Sequence, residues 1–124
     1  MSKLPPSLDS MLAAWNESDP SRIRGHLDAA LSPDVVFADP DNYVVGIDAF
    51  EAMVHKFRAD IENPKAERTS GFNVHNNRYR YNWLVSSGDT PLMPGMDVTE
   101  IDDNGKVVRV DGFFGDIPEL GASK

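Results

Sequence analysis

The sequence contains no cysteine. That excludes disulfides, thiolate nucleophiles and cysteine-type zinc sites together. Histidine is scarce: His26, His55 and His75 are the only three, and none stands at a close metal-ligating spacing such as HExxH. No metal or cofactor is therefore expected. Basic residues are outnumbered, 12 against 20 acidic, for a formal charge of -8. A chain so acidic is a poor match for nucleic acid or an anionic membrane, and neither is expected as a partner. No apolar run approaches membrane-spanning length. The first residues, Met1 to Pro6, lack the apolar core of a signal peptide. A cytoplasmic domain is the expectation.

What is present suits one globular domain. The 124 residues are enough for a real core, and 40% of them are hydrophobic. Residues 1–6, with Pro5-Pro6, read as a flexible lead-in. A first helix is expected from Ser7, which could cap it, with Leu8, Met11, Leu12 and Trp15 at helical spacing. Asp19-Pro20 reads as a cap and first-turn proline of a second helix, whose inner face is Ile23, Leu27, Ala30 and Leu31. Ser32-Pro33 stops it. Val35 to Ala38 is a short strand, followed by a loop at Pro40-Asp41-Asn42. A third helix is expected from Ile47 to Ile61, with Phe50, Met53, Val54 and Phe57 on one stripe.

Strand patterns dominate afterwards: Ala66 to His75, Tyr79 to Ser86, Met93 to Asp102 and Lys106 to Phe114. Asp102-Asp103-Asn104-Gly105 is a strong hairpin signal, and Gly88-Asp89-Thr90-Pro91 a looser connection. Helices first and strands afterwards imply an α+β domain. Three helices on a strongly curved, mainly antiparallel sheet would leave a cone-shaped apolar cavity, a natural ligand site.

Two carboxylates stand out. Asp39 ends the run Val35-Val36-Phe37-Ala38, and Asp97 lies within Met93 to Thr99. A carboxylate turned toward an apolar interior must neutralise, find a partner or do chemistry. Two at one cavity, with separated pKa values, would supply a base and an acid. Each also has a plainer role: Asp39 could cap the following turn, and Asp97 could face solvent. The aromatic face Tyr81, Trp83, Val85 and the residues Met11, Trp15, Phe37, Phe57, Val110, Gly112 and Phe114 are expected to line the cavity or its core, with Tyr43 at the mouth.

The chain resembles the NTF2-like superfamily, which includes SnoaL-like cyclases, ketosteroid isomerases and limonene epoxide hydrolases. The resemblance rests on Asp19-Pro20-Ser21-Arg22-Ile23, on Ser32 to Pro40, on Gly46-Ile47-Asp48-Ala49-Phe50, and on the final Gly105 to Gly115. It implies the cone fold, a homodimer and a small apolar ligand. From the isomerase branch it implies a general base at Asp39, in the pair Asp39-Pro40, and a neutral hydrogen-bond donor at about Asp97. The isomerase's oxyanion-donating tyrosine falls on Met11, which cannot donate. Losing one such donor costs about 10²–10³ in rate. The cyclase and epoxide-hydrolase branches place a catalytic aspartate in the last strand, where Gly112 stands, and strand alternation turns its neighbour Asp111 away. The Arg-x-Asp of the hydrolases is missing from Tyr79 to Ser86. The activity implied is cofactor-independent isomerisation or cyclisation of a small carbonyl compound; a non-catalytic binding or association module is the alternative.

Overall fold

A computed structural model describes residues 3–121 of the chain. Three helices come first: α1 (Pro6–Asn16), α2 (Pro20–Ala30) and, after two strands, α3 (Ile47–Asp60). The strands are β1 (Leu31–Ala38), β2 (Tyr43–Val45), β3 (Pro64–His75), β4 (Arg78–Ser87), β5 (Thr90–Ile101) and β6 (Val107–Phe114). They form one sheet in the order β2-β1-β6-β5-β4-β3. Only the β1–β6 pair is parallel. The architecture is the expected α+β cone, with the helices on the concave face of a mainly antiparallel sheet.

The helices form where their stripes meet the sheet. Ile23, Leu27 and Ala30 of α2, and Phe50 and Val54 of α3, are wholly buried against Val35, Val107 and Val110. Asp19 caps α2 by accepting from the Ser21 backbone N–H at 3.0 Å, ahead of Pro20. Trimming a fully buried leucine such as Leu27 to alanine should cost about 2–5 kcal/mol. No helix among the described residues is long and apolar enough to cross a membrane.

Several boundaries differ from the sequence reading. Helix α1 starts at Pro6, with Pro5 at its cap. Ser7 lies inside the first turn rather than capping it, and its Oγ is buried without a described partner. Of the lead-in, Met1 and Ser2 lie outside the described residues, while Leu4 packs against the core. Leu31 is not on the face of α2; it is the first residue of β1, because the chain turns extended at φ -107° one residue before Ser32-Pro33. The loop after Asp39 contains a strand, β2, that the three-residue span Tyr43–Val45 hid. The Gly88 connection is tight, so β5 begins at Thr90.

Curvature comes from breaks in the pairing. Register shifts fall between Arg68 and Phe72 in β3 and between Leu31 and Val36 in β1. Such irregularities bend a strand and raise its twist. Asn76 and Asn77, both at positive φ (45° and 64°), make the tight β3–β4 turn.

Candidate active site

The concave face encloses a cavity of about 540 Å³. Strand register decides which side chains reach it, because paired residues share a face. One rung across the sheet runs Tyr81, Asp97, Gly112 on β4, β5 and β6. The next runs Arg68, Trp83, Gly95, Phe114 on β3 to β6. Asp39 follows Ala38, which pairs with Asp111, and so arrives beside Gly112.

Gly112 brings the two carboxylates together. A Cβ placed on it would stand 2.9 Å from Asp97 Oδ1 and 3.3 Å from Asp39 Cβ. The missing side chain leaves room for Asp97 to lean over β6 toward Asp39. No bulge interrupts β6 there, since Val110, Asp111 and Gly112 pair in step with Thr99, Val98 and Asp97. Asp111 faces away and forms an ion pair with Arg109 at 3.0 Å.

Asp39 both closes the turn and lines the cavity. Its Oδ1 accepts from the backbone N–H groups of Asp41 (2.9 Å) and Asn42 (2.8 Å) and from Asn42 Nδ2 (3.1 Å). All three described bonds fall on Oδ1, so Oδ2 keeps its lone pairs uncommitted among them. The capping role is thus what aims the other oxygen.

Asp97 is different. It accepts from Trp83 Nε1 at 2.9 Å. It is half-buried and lines the cavity. Burial pushes its pKa up to about 7; repulsion from Asp39 and Asp111 adds to this, and the Trp83 hydrogen bond opposes it. Tyr81 lies on the same rung and donates to or accepts from Thr99 Oγ1 at 3.0 Å. Burial, with Asp97 nearby, holds its phenol in the neutral form by raising its pKa.

Met11, Trp15, Phe37, Phe57, Tyr81, Trp83 and Phe114 line the cavity. Trp15 stands edge-on to Phe57, centroids 4.9 Å apart. Three expected lining residues, Gly112, Tyr43 and Val110, are not part of the wall; Gly112 has no side chain to present and lies beneath Asp97 and Asp39. Tyr43 is 67% exposed on edge strand β2, on the outer face beside Arg109, because it pairs with Ala38 rather than entering the loop mouth. Val110 is fully buried in the core between sheet and helices, one rung away from the cavity floor. The O–H of Tyr81 and the N–H of Trp83 are both engaged within the protein and are not idle replacements for a donor at Met11.

Arg68 and Gly95 shape the site in ways that escaped the sequence reading. Arg68 lines the wall from β3, and its guanidinium carbon stands 5.9 Å from the Tyr81 ring centroid. Gly95 lets the Trp83 ring lie flat on β5: a Cβ there would come within 2.1 Å of Trp83 Cζ2. Only the β4–β5 register, in which Trp83 faces Gly95, could have signalled this.

The family model of the SnoaL-like domain matches residues 8–110. The chain belongs to the SnoaL-like domain family. Among solved structures, this SnoaL-like chain is similar to a proposed isomerase of the SnoaL-like family from Agrobacterium tumefaciens, at 26% identity and a TM-score of 0.85, over 94% of this chain and 100% of that one. A proposed polyketide cyclase from Sinorhizobium meliloti shares the fold at 18% identity and a TM-score of 0.70, over 88% of this chain and 94% of that one. So does an LEH-like epoxide hydrolase from Mycobacterium tuberculosis, at 14% identity and 0.65, over 90% and 78%. No curated protein matches the chain significantly.

Proposed function

We propose that this SnoaL-like protein binds a small, largely apolar carbonyl compound and shifts a proton within it. The observation that carries this reading is the convergence of Asp39 and Asp97 over Gly112, in unlike surroundings. Asp39 Oδ2 takes a proton from the carbon next to the carbonyl. Asp97, protonated because burial favours its neutral form, donates a hydrogen bond to the enolate oxygen as charge develops there. Asp39 then returns the proton to a different carbon, which completes an isomerisation, or the enolate carbon attacks a second carbonyl within the same molecule and the proton held by Asp39 passes to the alkoxide so formed, which completes a cyclisation. The similarity to proposed isomerase and cyclase proteins supports the same chemistry. Asp39→Asn should abolish substrate proton exchange into deuterated water, followed by NMR, with the fold unchanged. Normal exchange in that variant would remove Asp39 from the mechanism.

A second reading is a binding module without turnover. Met11 favours it, since this cavity-lining position of helix α1 carries no hydrogen-bond donor. The same deuterium-exchange experiment separates the two. The reading includes a homodimer through the outer sheet face, supported by Phe113 (59% exposed), Tyr43 and Val45, which register places on that side.

A further inference from the structure

The charges around the cavity are not evenly spread. Asp39 and Asp97 occupy the Gly112 rung. Two cations line the wall elsewhere, Lys56 and Arg68. Lys56 is 75% exposed and is tied to Asp60 one turn along α3. Arg68 is the inward one: its side chain is only 17% exposed, and it sits beside the Tyr81 ring.

Arg68 has a partner, Asp9 of α1, but the pairing uses little of the guanidinium. Both terminal nitrogens converge on one oxygen, Asp9 Oδ1, and Nε has no described hydrogen bond. Asp9 itself is 69% exposed. A guanidinium presents five N–H donors in a planar fork that suits a two-oxygen acceptor. Here the fork is held between an aromatic wall and a solvated carboxylate that can return to water at little cost. An arginine so placed is equipped to exchange Asp9 for an anion arriving in the cavity.

We propose that the ligand is an apolar keto acid, whose carboxylate Arg68 clamps while its carbonyl end reaches Asp39 and Asp97. This rests on the proton-transfer reading and narrows it from neutral ketones to anionic ones. The chain's charge of -8 opposes such a ligand, so an inward cation is what would admit it. Trp15, Met53 and Phe57 cover the hydrocarbon between the two ends. The clamp also orients the substrate, because its carboxylate is repelled from the end of the cavity where Asp39 acts as the base.

The test uses 9-oxodecanoate, with its ketone and carboxylate at opposite ends of the hydrocarbon, and its methyl ester as matched probes, titrated calorimetrically into wild type, Arg68→Met, Arg68→Lys and Asp9→Asn. The acid should bind wild type about 10-fold to 100-fold more tightly than the ester. Arg68→Met should erase that preference, Arg68→Lys should keep part of it, and Asp9→Asn should keep or increase it. If Arg68 is only a strap between α1 and β3, Asp9→Asn and Arg68→Met will lower the melting temperature alike and neither will change the acid-to-ester ratio, which overturns the proposal. Equal binding of both probes to wild type, or no binding of the acid at millimolar concentration, also overturns it. Should Arg68→Met fail to fold, the Asp9→Asn and Arg68→Lys ratios decide. Asp39→Asn serves as the separate control: retained acid preference with unchanged deuterium exchange would fell the base assignment and leave the Arg68 clamp standing.

Discussion

Trp83 donates its indole N–H to Asp97 Oδ1 across 2.9 Å from the neighbouring strand. The bond stabilises the ionised form of a carboxyl group that burial drives the other way. The balance leaves the Asp97 pKa at about 7, lower than burial and the neighbouring carboxylates alone would set it. Trp83→Phe removes the donor and keeps the ring. Its expected result is an Asp97 pKa raised further above about 7, read from the side-chain carboxyl carbon by NMR. An unchanged titration would mean that the indole N–H does not tune Asp97.

The raised pKa has a consequence for stability. Asp97 titrates at the ordinary 3.8 in the unfolded chain and at about 7 in the folded one. Between those values the native state holds the extra proton, so stability falls as pH rises through that window and levels off above it. The accumulated loss is on the order of a few kcal/mol. Asp97→Asn cannot ionise and avoids it. The variant should melt close to wild type near pH 4 and clearly above it near pH 8. Parallel melting curves across the range would contradict a buried, ionisable Asp97.

The sequence made the helical half of this architecture readable because each helix carries an uninterrupted apolar stripe, as Ile23, Leu27 and Ala30 do. The two carboxylates were readable as anomalies, polar groups inside apolar runs. What brings them together was not, because it is an absence: Gly112 matters through the Cβ it lacks, and only the β1–β6 and β5–β6 registers reveal which side chains flank it. Arg68 was hidden for a related reason. The register shift between Arg68 and Phe72 means that counting along β3 cannot assign its face. Tyr43 misled because a three-residue edge strand is too short to show alternation.

Gly112→Ala tests the convergence directly. The added methyl would be 2.9 Å from Asp97 Oδ1, closer than real Cβ contacts come, and 3.3 Å from Asp39 Cβ. Neither neighbour is free to retreat, since Asp97 is held by Trp83 and Asp39 by its turn. The expected cost is about 1–3 kcal/mol of stability, together with a displaced Asp97 carboxyl resonance. Wild-type stability with an unchanged resonance would show that the two groups do not meet over β6.

The outer sheet face yields a prediction about association. Phe113 pairs with Met96 and points away from the cavity that its neighbour Phe114 lines. At 59% exposure it contributes little to the monomer's core. Phe113→Glu should leave the melting temperature of dilute protein nearly unchanged while shifting sedimentation from dimer to monomer. A wild type that sediments as a monomer at all accessible concentrations would dismiss the homodimer.

Gly95→Ala separates the support of Trp83 from the chemistry of Asp97. The new Cβ would fall 2.1 Å from Trp83 Cζ2 and 2.6 Å from the Phe113 carbonyl oxygen. The backbone oxygen cannot yield without disturbing the β5–β6 ladder, so the indole must swing off the strand. That movement lengthens the bond to Asp97 and opens the contact with Phe114, whose ring stands edge-on at 5.9 Å. The expected signature combines a lower melting temperature, a shifted tryptophan emission maximum and an Asp97 pKa moved upward, the last in the same direction as Trp83→Phe. A variant that loses stability yet keeps the wild-type Asp97 titration would place the role of Gly95 in sheet packing alone.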